Sequence, residues 1–161
     1  MIREVRINEL EGLTNLAIEH GNDAGLISHD AVDRNYAKQQ IKQMMINPDY
    51  KVFVAIKDDK IVGYIIGNIT QKLWNPSLYG EVIVFFVHPE VRNKYLADDL
   101  FQAVKDWFID NGCLYFQASC LTYTKEYQPN DEWLHRVKTY FKTQKMTEVG
   151  YHYVKPLERE Q

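Results

Sequence analysis

A short polar loop with two basic residues, Glu90 to Lys94, separates an apolar run from a helical pattern. The apolar run, Val82 to Val87, is β-branched and aromatic, which is typical of a strand buried on both faces. Beyond the loop, apolar residues recur at helical spacing as far as Gly112, which predicts a helix that ends at a glycine. The first backbone N–H groups of a helix are unpaired and the helix dipole reinforces them, so such an end binds anions. We therefore predict an anion site where this strand passes into its helix.

Two carboxylates leave a second interpretation of this turn open. Asp98 and Asp99 are expected in the first turn of the helix, where they favour the helix through its dipole. At close range they would also repel a bound anion. The same residues are therefore consistent with an ordinary strand-to-helix turn at the start of a well-capped helix.

The chain has 161 residues, which predicts one domain over residues 1–161 with a substantial core. Hydrophobic residues make up 45% and charged residues 25%, which argues against disorder. The net charge of -3 gives no support for a nucleic-acid binder that relies on a large basic field. The 11 tyrosines suit strands, and they also suit a cleft for a flat or partly polar ligand.

The two cysteines, Cys113 and Cys120, lie in one apolar run. On a strand they would point to opposite faces and be too far apart to form a disulfide. We interpret both as reduced core residues, with a redox or nucleophilic role as the alternative, and this fits a reducing compartment. No segment resembles a signal peptide or a membrane span, so the sequence predicts a cytoplasmic protein without membrane contact. The histidines lack metal-like spacing, and no metal site is predicted.

Periodicity and turn residues predict ten to eleven elements in the chain. Asn8 with Glu11 forms a capping-box pattern at the start of the first helix. Asp58-Asp59 marks a hairpin turn, and the segment Leu73 to Leu78 is expected to be a loop. Besides the strand and helix described above, the predicted elements are strand Met1 to Ile7, helix Asn8 to His20, helix Asp30 to Ile46, strands Lys51 to Lys57 and Lys60 to Thr70, strand Cys113 to Leu121, a helix from Asn130 or Asp131 to Gln144, and one strand or a tight pair within Met146 to Leu157.

This order of elements, together with the residues from Glu81 to Leu100, resembles the GCN5-related N-acetyltransferase (GNAT) family. In that family the fourth strand ends in a V-x-P-like element, and a [Q/R]-x-x-G-x-[G/A] loop follows. Val87-His88-Pro89 matches the first motif, and Arg92-Asn93-Lys94-Tyr95-Leu96-Ala97 matches the second, with Tyr95 where glycine is expected. The resemblance implies an α/β (α+β) fold with a mixed, mostly antiparallel sheet of six to seven strands. It also implies helices on both faces and a V-shaped opening beside the central strand.

The resemblance also implies acetyl-coenzyme A (acetyl-CoA) as co-substrate. The backbone of Arg92, Asn93, Lys94, Tyr95, Leu96 and Ala97 would hold its pyrophosphate, with a side-chain contribution from Arg92 or Lys94. The ring of Tyr95 must then swing out, because glycine at this position lets the backbone approach phosphate closely. A backbone N–H at Phe86 or Val87 would hold the thioester oxygen.

Acetyl transfer to an amine needs a base, because a free amine has a pKa near 10.4. Glu81 lies eleven residues before Arg92, the offset that histone-acetylating members use for their glutamate base. The alternative for Glu81 is a strand-end carboxylate facing solvent. The family's general acid is a tyrosine in the last helix, within a pattern like F-Y-x-K-x-G-F. Phe141 falls on the position of that tyrosine, Tyr140 is one residue away, and Lys145 stands where the pattern has glycine.

Two functions remain open from the sequence. The first is an N-acetyltransferase that moves an acetyl group from acetyl-CoA to an amine of a small molecule or protein by direct attack. The second is a non-catalytic binding or assembly protein whose loop has lost the cofactor, and a transferase for another acyl donor is a remote third. The predicted partners are acetyl-CoA and an unknown amine acceptor, with no nucleic acid or membrane. A homodimer is implied by the resemblance alone.

Overall fold

A computed structural model describes residues 1–23, 33–119 and 131–149. The chain divides into two compact units, which are described separately. The first unit comprises Met1–His20 and Val32–Ser119, and the second comprises Gly21–Ala31 and Cys120–Gln161. The prediction of one domain over the whole chain stays a prediction.

The first unit contains one open, mixed sheet with its strands in chain order. Neighbouring strands are antiparallel except β4 and β5, which are parallel, as predicted for a mostly antiparallel sheet. The strands are β1 (Ile2–Glu4), β2 (Tyr50–Lys57), β3 (Lys60–Lys72), β4 (Asn75–Val87) and β5 (Phe116–Ala118). The described residues thus form five strands, not six to seven. Of the predicted last strand, residues 146–149 are not extended into a strand and the remainder lies outside the described residues.

Four α-helices are present in the described residues: α1 (Leu10–Asp23), α2 (Arg34–Ile46), α3 (Lys94–Asp110) and α4 (Asp131–Thr143). In the first unit, α1 and α2 pack on one face of the sheet through Leu13, Leu16 and Ile41. Helix α3 packs on the opposite face, where Phe101 and Phe108 contact the ring of Phe116. Helices therefore cover both faces of the sheet, as predicted.

The start of α1 differs from the predicted capping box. A 3₁₀ turn, Ile7–Glu9, precedes the helix, and the Glu9 carboxylate accepts a hydrogen bond from the Arg6 backbone N–H at 2.8 Å. Glu11 does not cap the helix, because its carboxylate pairs with Arg34 and Lys38 instead. The sequence has the capping-box pattern at Asn8 and Glu11. The carboxylate that makes the capping hydrogen bond is nevertheless that of Glu9, two residues before Glu11.

The hairpin of β3 and β4 is longer than predicted. Only residues 73–74 form its turn, and β4 begins at Asn75 rather than after Leu78. Pro76 is accommodated at a register irregularity, where its carbonyl accepts a hydrogen bond from the Gln71 side chain at 2.6 Å. The turn of the shorter hairpin, between β2 and β3, lies at Asp58-Asp59 as predicted. Both residues have positive φ, as a type I′ turn requires.

The strand predicted from Cys113 to Leu121 is shorter within the described residues, because β5 covers only Phe116–Ala118. Cys113 precedes it, and partial burial raises the pKa of its thiol. Cys120 lies outside the described residues.

Candidate active site

In the described part of the chain, the carboxyl-terminal half of β4 has an open edge on the side of β5. Val84 pairs with Ile66 and Val82 pairs with Gly67, so Ile83 is an extra residue that forms a β-bulge in β4. Within the described residues, β5 pairs with β4 only from Gly80 to Val82, before the bulge. Beyond the bulge, the described residues of β5 therefore do not cover this edge of β4.

The register identifies which β4 amides point to this edge. The His88 N–H donates to the Val62 carbonyl at 2.8 Å, which makes Val87–Gly63 a non-hydrogen-bonded pair and Phe86–Tyr64 a hydrogen-bonded pair. The Phe86 N–H is thus directed to β3. The Val87 N–H points to the open edge, where it has no acceptor in the described part of the chain.

Of the two predicted thioester donors, only Val87 presents its amide to the opening. Phe85 lies two residues earlier, and its N–H has the same direction because N–H groups alternate along a strand. The sequence could not choose between Phe86 and Val87, since the direction of each N–H depends on where the bulge falls.

The turn between β4 and α3 has the predicted form. A single 3₁₀ turn, Pro89–Val91, leads to Asn93, the N-cap of α3, whose side-chain oxygen accepts from the Leu96 N–H at 2.9 Å. The Ala97 N–H donates to the Asn93 carbonyl at 3.3 Å. In residues 33–119 the backbone N–H groups of Asn93 and Tyr95 have no acceptor.

Tyr95 does not block this turn. Its side chain is 81% exposed, so the ring lies in solvent rather than over the loop amides. Asp98 and Asp99 lie in the second turn of α3, because the helix already begins at Lys94. The prediction that they occupy the first turn was wrong, and the repulsion expected of first-turn carboxylates is correspondingly weaker.

Arg92 is directed back towards the end of β4. Its Nε donates to the Val87 carbonyl at 3.0 Å, and its guanidinium carbon lies 5.8 Å from the centre of the Phe86 ring. These contacts fix the path of the loop from the strand into the helix. A contribution of the Arg92 side chain to pyrophosphate binding stays a prediction. The side chain of Lys94 is not among those that the structure describes.

Glu81 lies beside the apex of the opening, on the face of the sheet opposite α3. Its neighbour Gly80 faces α3, because a Cβ there would lie 2.6 Å from the Phe108 ring, and side chains alternate along a strand. Glu81 is in register with Asn68 on β3 and Gln117 on β5. The Gln117 Nε2 donates to Glu81 Oε1 at 3.4 Å. Glu81 is half-buried in this polar row, not a solvent-facing strand end.

A hydrogen-bonded pair on the same face, buried Tyr64 and half-buried His20, is not predicted by the sequence. The Tyr64 hydroxyl lies 2.9 Å from His20 Nδ1, and the His20 ring stacks on Phe86 at 4.5 Å. Burial raises the pKa of Tyr64, so its hydroxyl stays protonated. No sequence spacing links residues 20 and 64, and only the packing of α1 on the sheet brings them together.

Tyr140 belongs to α4 in the second unit, where its ring lies 6.2 Å from that of Phe141. Helix α4 ends in a Schellman motif: the Met146 N–H donates to the Phe141 carbonyl and the Lys145 N–H to the Lys142 carbonyl. Lys145 therefore adopts φ +58°, at the position where the family pattern has glycine.

In residues 1–23, 33–119 and 131–149, no group of three or more His, Cys, Asp or Glu side chains could hold a metal ion. Every helix in these residues is too short or too polar to cross a membrane.

Comparison with known proteins relates the chain to a family of acetyltransferases. A family model described as "Acetyltransferase (GNAT) family" matches residues 15–142. The crystal structure of a probable acetyltransferase is 15% identical, with a TM-score of 0.75 and 99% of each chain covered. The aminoglycoside N-acetyltransferase AAC(6')-Iy in complex with CoA is 16% identical, with a TM-score of 0.70, covering 99% of this chain and 94% of that chain.

A third similar structure is an aminoglycoside acetyltransferase from an uncultured soil metagenomic sample, in complex with sisomicin. It is 14% identical, with a TM-score of 0.69, covering 98% of this chain and 96% of that chain. At these identities the likeness establishes the fold. No curated protein sequence matches the chain.

Proposed function

Because the chain belongs to the GNAT acetyltransferase family, we propose that it is an acetyl-CoA-dependent N-acetyltransferase that acetylates an amine by direct attack. The observation that carries this proposal is the open turn between β4 and α3. The Tyr95 ring is in solvent, and the Asn93 and Tyr95 amides have no acceptor in residues 33–119. A diphosphate can therefore approach the start of α3, where unpaired donors and the helix dipole favour it.

The open edge of β4 supplies the second part of the proposed mechanism. The Val87 N–H points to this edge and would hold the thioester carbonyl oxygen as negative charge develops on it. The amine nitrogen attacks the carbonyl carbon, the C–N bond forms and the C–S bond breaks. The thiol leaves as thiolate, which is tolerable for a group with a pKa near 8.5.

Glu81 is the proposed proton acceptor for the attacking amine. It lies on β4 on the other side of the bulge from Val87, too far to reach the amine directly. The proton would therefore pass to the carboxylate through a chain of water molecules. Tyr140 remains the proposed proton donor to the thiolate, and Tyr140→Phe should slow turnover if it has that role.

Thermal unfolding with and without acetyl-CoA or CoA tests the first step. A ligand present at 100 times its Kd should raise the free energy of unfolding by about 2.7 kcal/mol. No shift at millimolar concentration would contradict the transferase and favour a non-catalytic binding protein.

Asn93→Asp sharpens this test, because aspartate caps a helix as well as asparagine does. It keeps the acceptor for the Leu96 N–H while adding a negative charge beside the proposed diphosphate site. The substitution also removes the hydrogen bond that the Asn93 side-chain N–H donates to the Val91 carbonyl at 3.1 Å. We therefore expect stability without ligand to be unchanged or lower by about 1 kcal/mol, and acetyl-CoA binding to be about tenfold weaker. Asn75→Asp is the matched control, since Asn75 also accepts a backbone N–H, from Ser77, but lies at the far hairpin turn.

The similar structures suggest which amine acceptors to test first. Two of them are aminoglycoside acetyltransferases, so aminoglycoside amines such as sisomicin are the first acceptors to test. Spermidine and a lysine-containing peptide extend the panel to other small amines and to protein side chains.

A further inference from the structure

In the described residues, the carboxylate of Glu81 is held by a hydrogen bond from one side, that of β5. Its neighbours in register are Asn68 on β3 and Gln117 on β5, and all three side chains lie on the face opposite α3. Gln117 is on this face because the adjacent Phe116 packs on Phe108 of α3. The Gln117 side-chain amide donates to Glu81 Oε1 at 3.4 Å, whereas in the described residues Asn68 makes no hydrogen bond to Glu81.

We propose that Gln117 is a positioning residue that holds Glu81 for proton transfer from the acceptor amine. This inference rests on the proposed function. A glutamate side chain has three rotatable bonds, and one hydrogen bond from the neighbouring strand restricts the carboxylate to the opening between β4 and β5. The bond uses Oε1 and leaves Oε2 to receive the proton.

The chemistry of glutamine suits this role. Its amide is neutral, so it orients the carboxylate without adding a positive charge that would make the base weaker. The position of Gln117 is fixed by strand pairing, because Glu81 and Gln117 form the middle of the three described residue pairs between β4 and β5. The same strand pairing that ends at the opening therefore places the Gln117 side chain beside the Glu81 carboxylate.

Gln117→Met tests the proposal, because methionine has similar length and no donor. With acetyl-CoA as donor and the best substrate among sisomicin, spermidine and a lysine-containing peptide, we expect kcat to fall about tenfold. The KM for acetyl-CoA and the stabilisation by CoA should not change. Gln102→Leu is the control, since it removes another glutamine–carboxylate hydrogen bond, to Asp106, on the exposed surface of α3.

A double-mutant cycle separates positioning from a general structural effect. In a Glu81→Gln background, Gln117→Met should cause no further loss of kcat, because the group it positions no longer accepts a proton. An equal loss in both backgrounds overturns the positioning role, as does wild-type kcat in Gln117→Met. If Gln117→Met does not fold, Gln117→Leu takes its place in the cycle.

The outcomes distinguish this inference from the proposed function. A large loss in Glu81→Gln with no loss in Gln117→Met overturns the inference alone. Wild-type turnover in Glu81→Gln removes Glu81 from the mechanism and the inference with it. If acetyl-CoA binds but none of the three amines is acetylated, the proposed transferase itself is contradicted.

Discussion

Glu81 is the residue on which the proposed chemistry depends most. It is half-buried beside the β4–β5 opening and accepts a hydrogen bond from Gln117. Glu81→Gln keeps its shape but removes the base, so we expect kcat to fall by roughly 10² to 10⁴. Stabilisation by acetyl-CoA should be retained. Initial rates and thermal shifts measure the two effects, and Glu90→Gln in the exposed loop is the control. Loss of acetyl-CoA binding in Glu81→Gln would point to a structural role instead.

A second residue-scale prediction concerns pH. The Arg3 guanidinium donates to both oxygens of Glu9, at 2.6 and 2.8 Å, and together with the Arg6 N–H this lowers the pKa of Glu9 to about 2. Because the folded-state pKa is lowered, this stabilisation is complete above the unfolded-state pKa of about 4.3. It is lost as the pH falls through about 2.

Glu9→Gln should therefore lower the free energy of unfolding by about 1 kcal/mol at pH 7. The difference from the unmodified protein should shrink between about pH 4.3 and pH 2. Urea unfolding at pH 7, 4 and 2.5 measures it. Glu11→Gln is the control, since the Glu11 pairs with Arg34 and Lys38 are exposed and contribute little. A difference that stays constant over this range would contradict the assignment.

Sequence alone could select Glu81 but not its surroundings. The glutamate was identified by its offset from the loop, which is a property of the chain. Asn68 and Gln117 become its neighbours only through strand register, and the direction of the Phe86 and Val87 amides depends on the bulge at Ile83. These are pairings between distant segments, and no local pattern encodes them.

At the scale of the element, helices α3 and α4 end in the same hydrogen-bonding motif with different residues at its left-handed position. Both α3 and α4 end in a Schellman motif whose C′ residue has positive φ: Gly112 at +74° and Lys145 at +58°. A left-handed conformation costs a residue with a Cβ about 1 kcal/mol or more relative to glycine. The left-handed conformation of Lys145 therefore lowers the free energy of unfolding, whereas that of Gly112 does not.

Opposite substitutions at these positions should have opposite effects. Gly112→Ala should lower the free energy of unfolding by about 1 kcal/mol, and Lys145→Gly should raise it by a similar amount. A Cβ at Gly112 meets no atom within 4 Å, so the first effect reports backbone strain and not a clash. Urea unfolding measures both changes, and effects of the same sign would contradict this explanation.

The elements that were predicted well are those with strong local patterns. The hairpin at Asp58-Asp59 and helix α3 have turn residues and periodicity that agree with one another. The start of β4 was missed because Asn75-Pro76 is typical of a turn, yet an irregular pairing accommodates it. The cap of α1 was missed because Glu9 and Glu11 compete for similar roles, and Arg3 on β1 favours Glu9.

At the scale of the whole molecule, the departures from the family pattern have different meanings. Tyr95 replaces a glycine without closing the turn, because its side chain is in solvent. Lys145 replaces a glycine and keeps its conformation at an energetic cost. Neither departure removes a group that the proposed mechanism uses. Phe141 at the usual tyrosine position is different, since phenylalanine has no hydroxyl. The proposed reaction then depends on Tyr140, one residue away, as proton donor, or on departure of the thiol as thiolate.

The last prediction concerns whether the 161 residues unfold as one domain, as their number indicates. A single two-state transition should have a calorimetric enthalpy equal to the van't Hoff enthalpy, near 110 kcal/mol at about 60 °C. Separate unfolding of the residues in the two units would give two transitions, of about 75 and 37 kcal/mol. Scanning calorimetry with and without acetyl-CoA distinguishes these cases. We expect one transition that moves as a whole to higher temperature, and a ligand shift confined to one of two transitions would show that the chain unfolds as two domains.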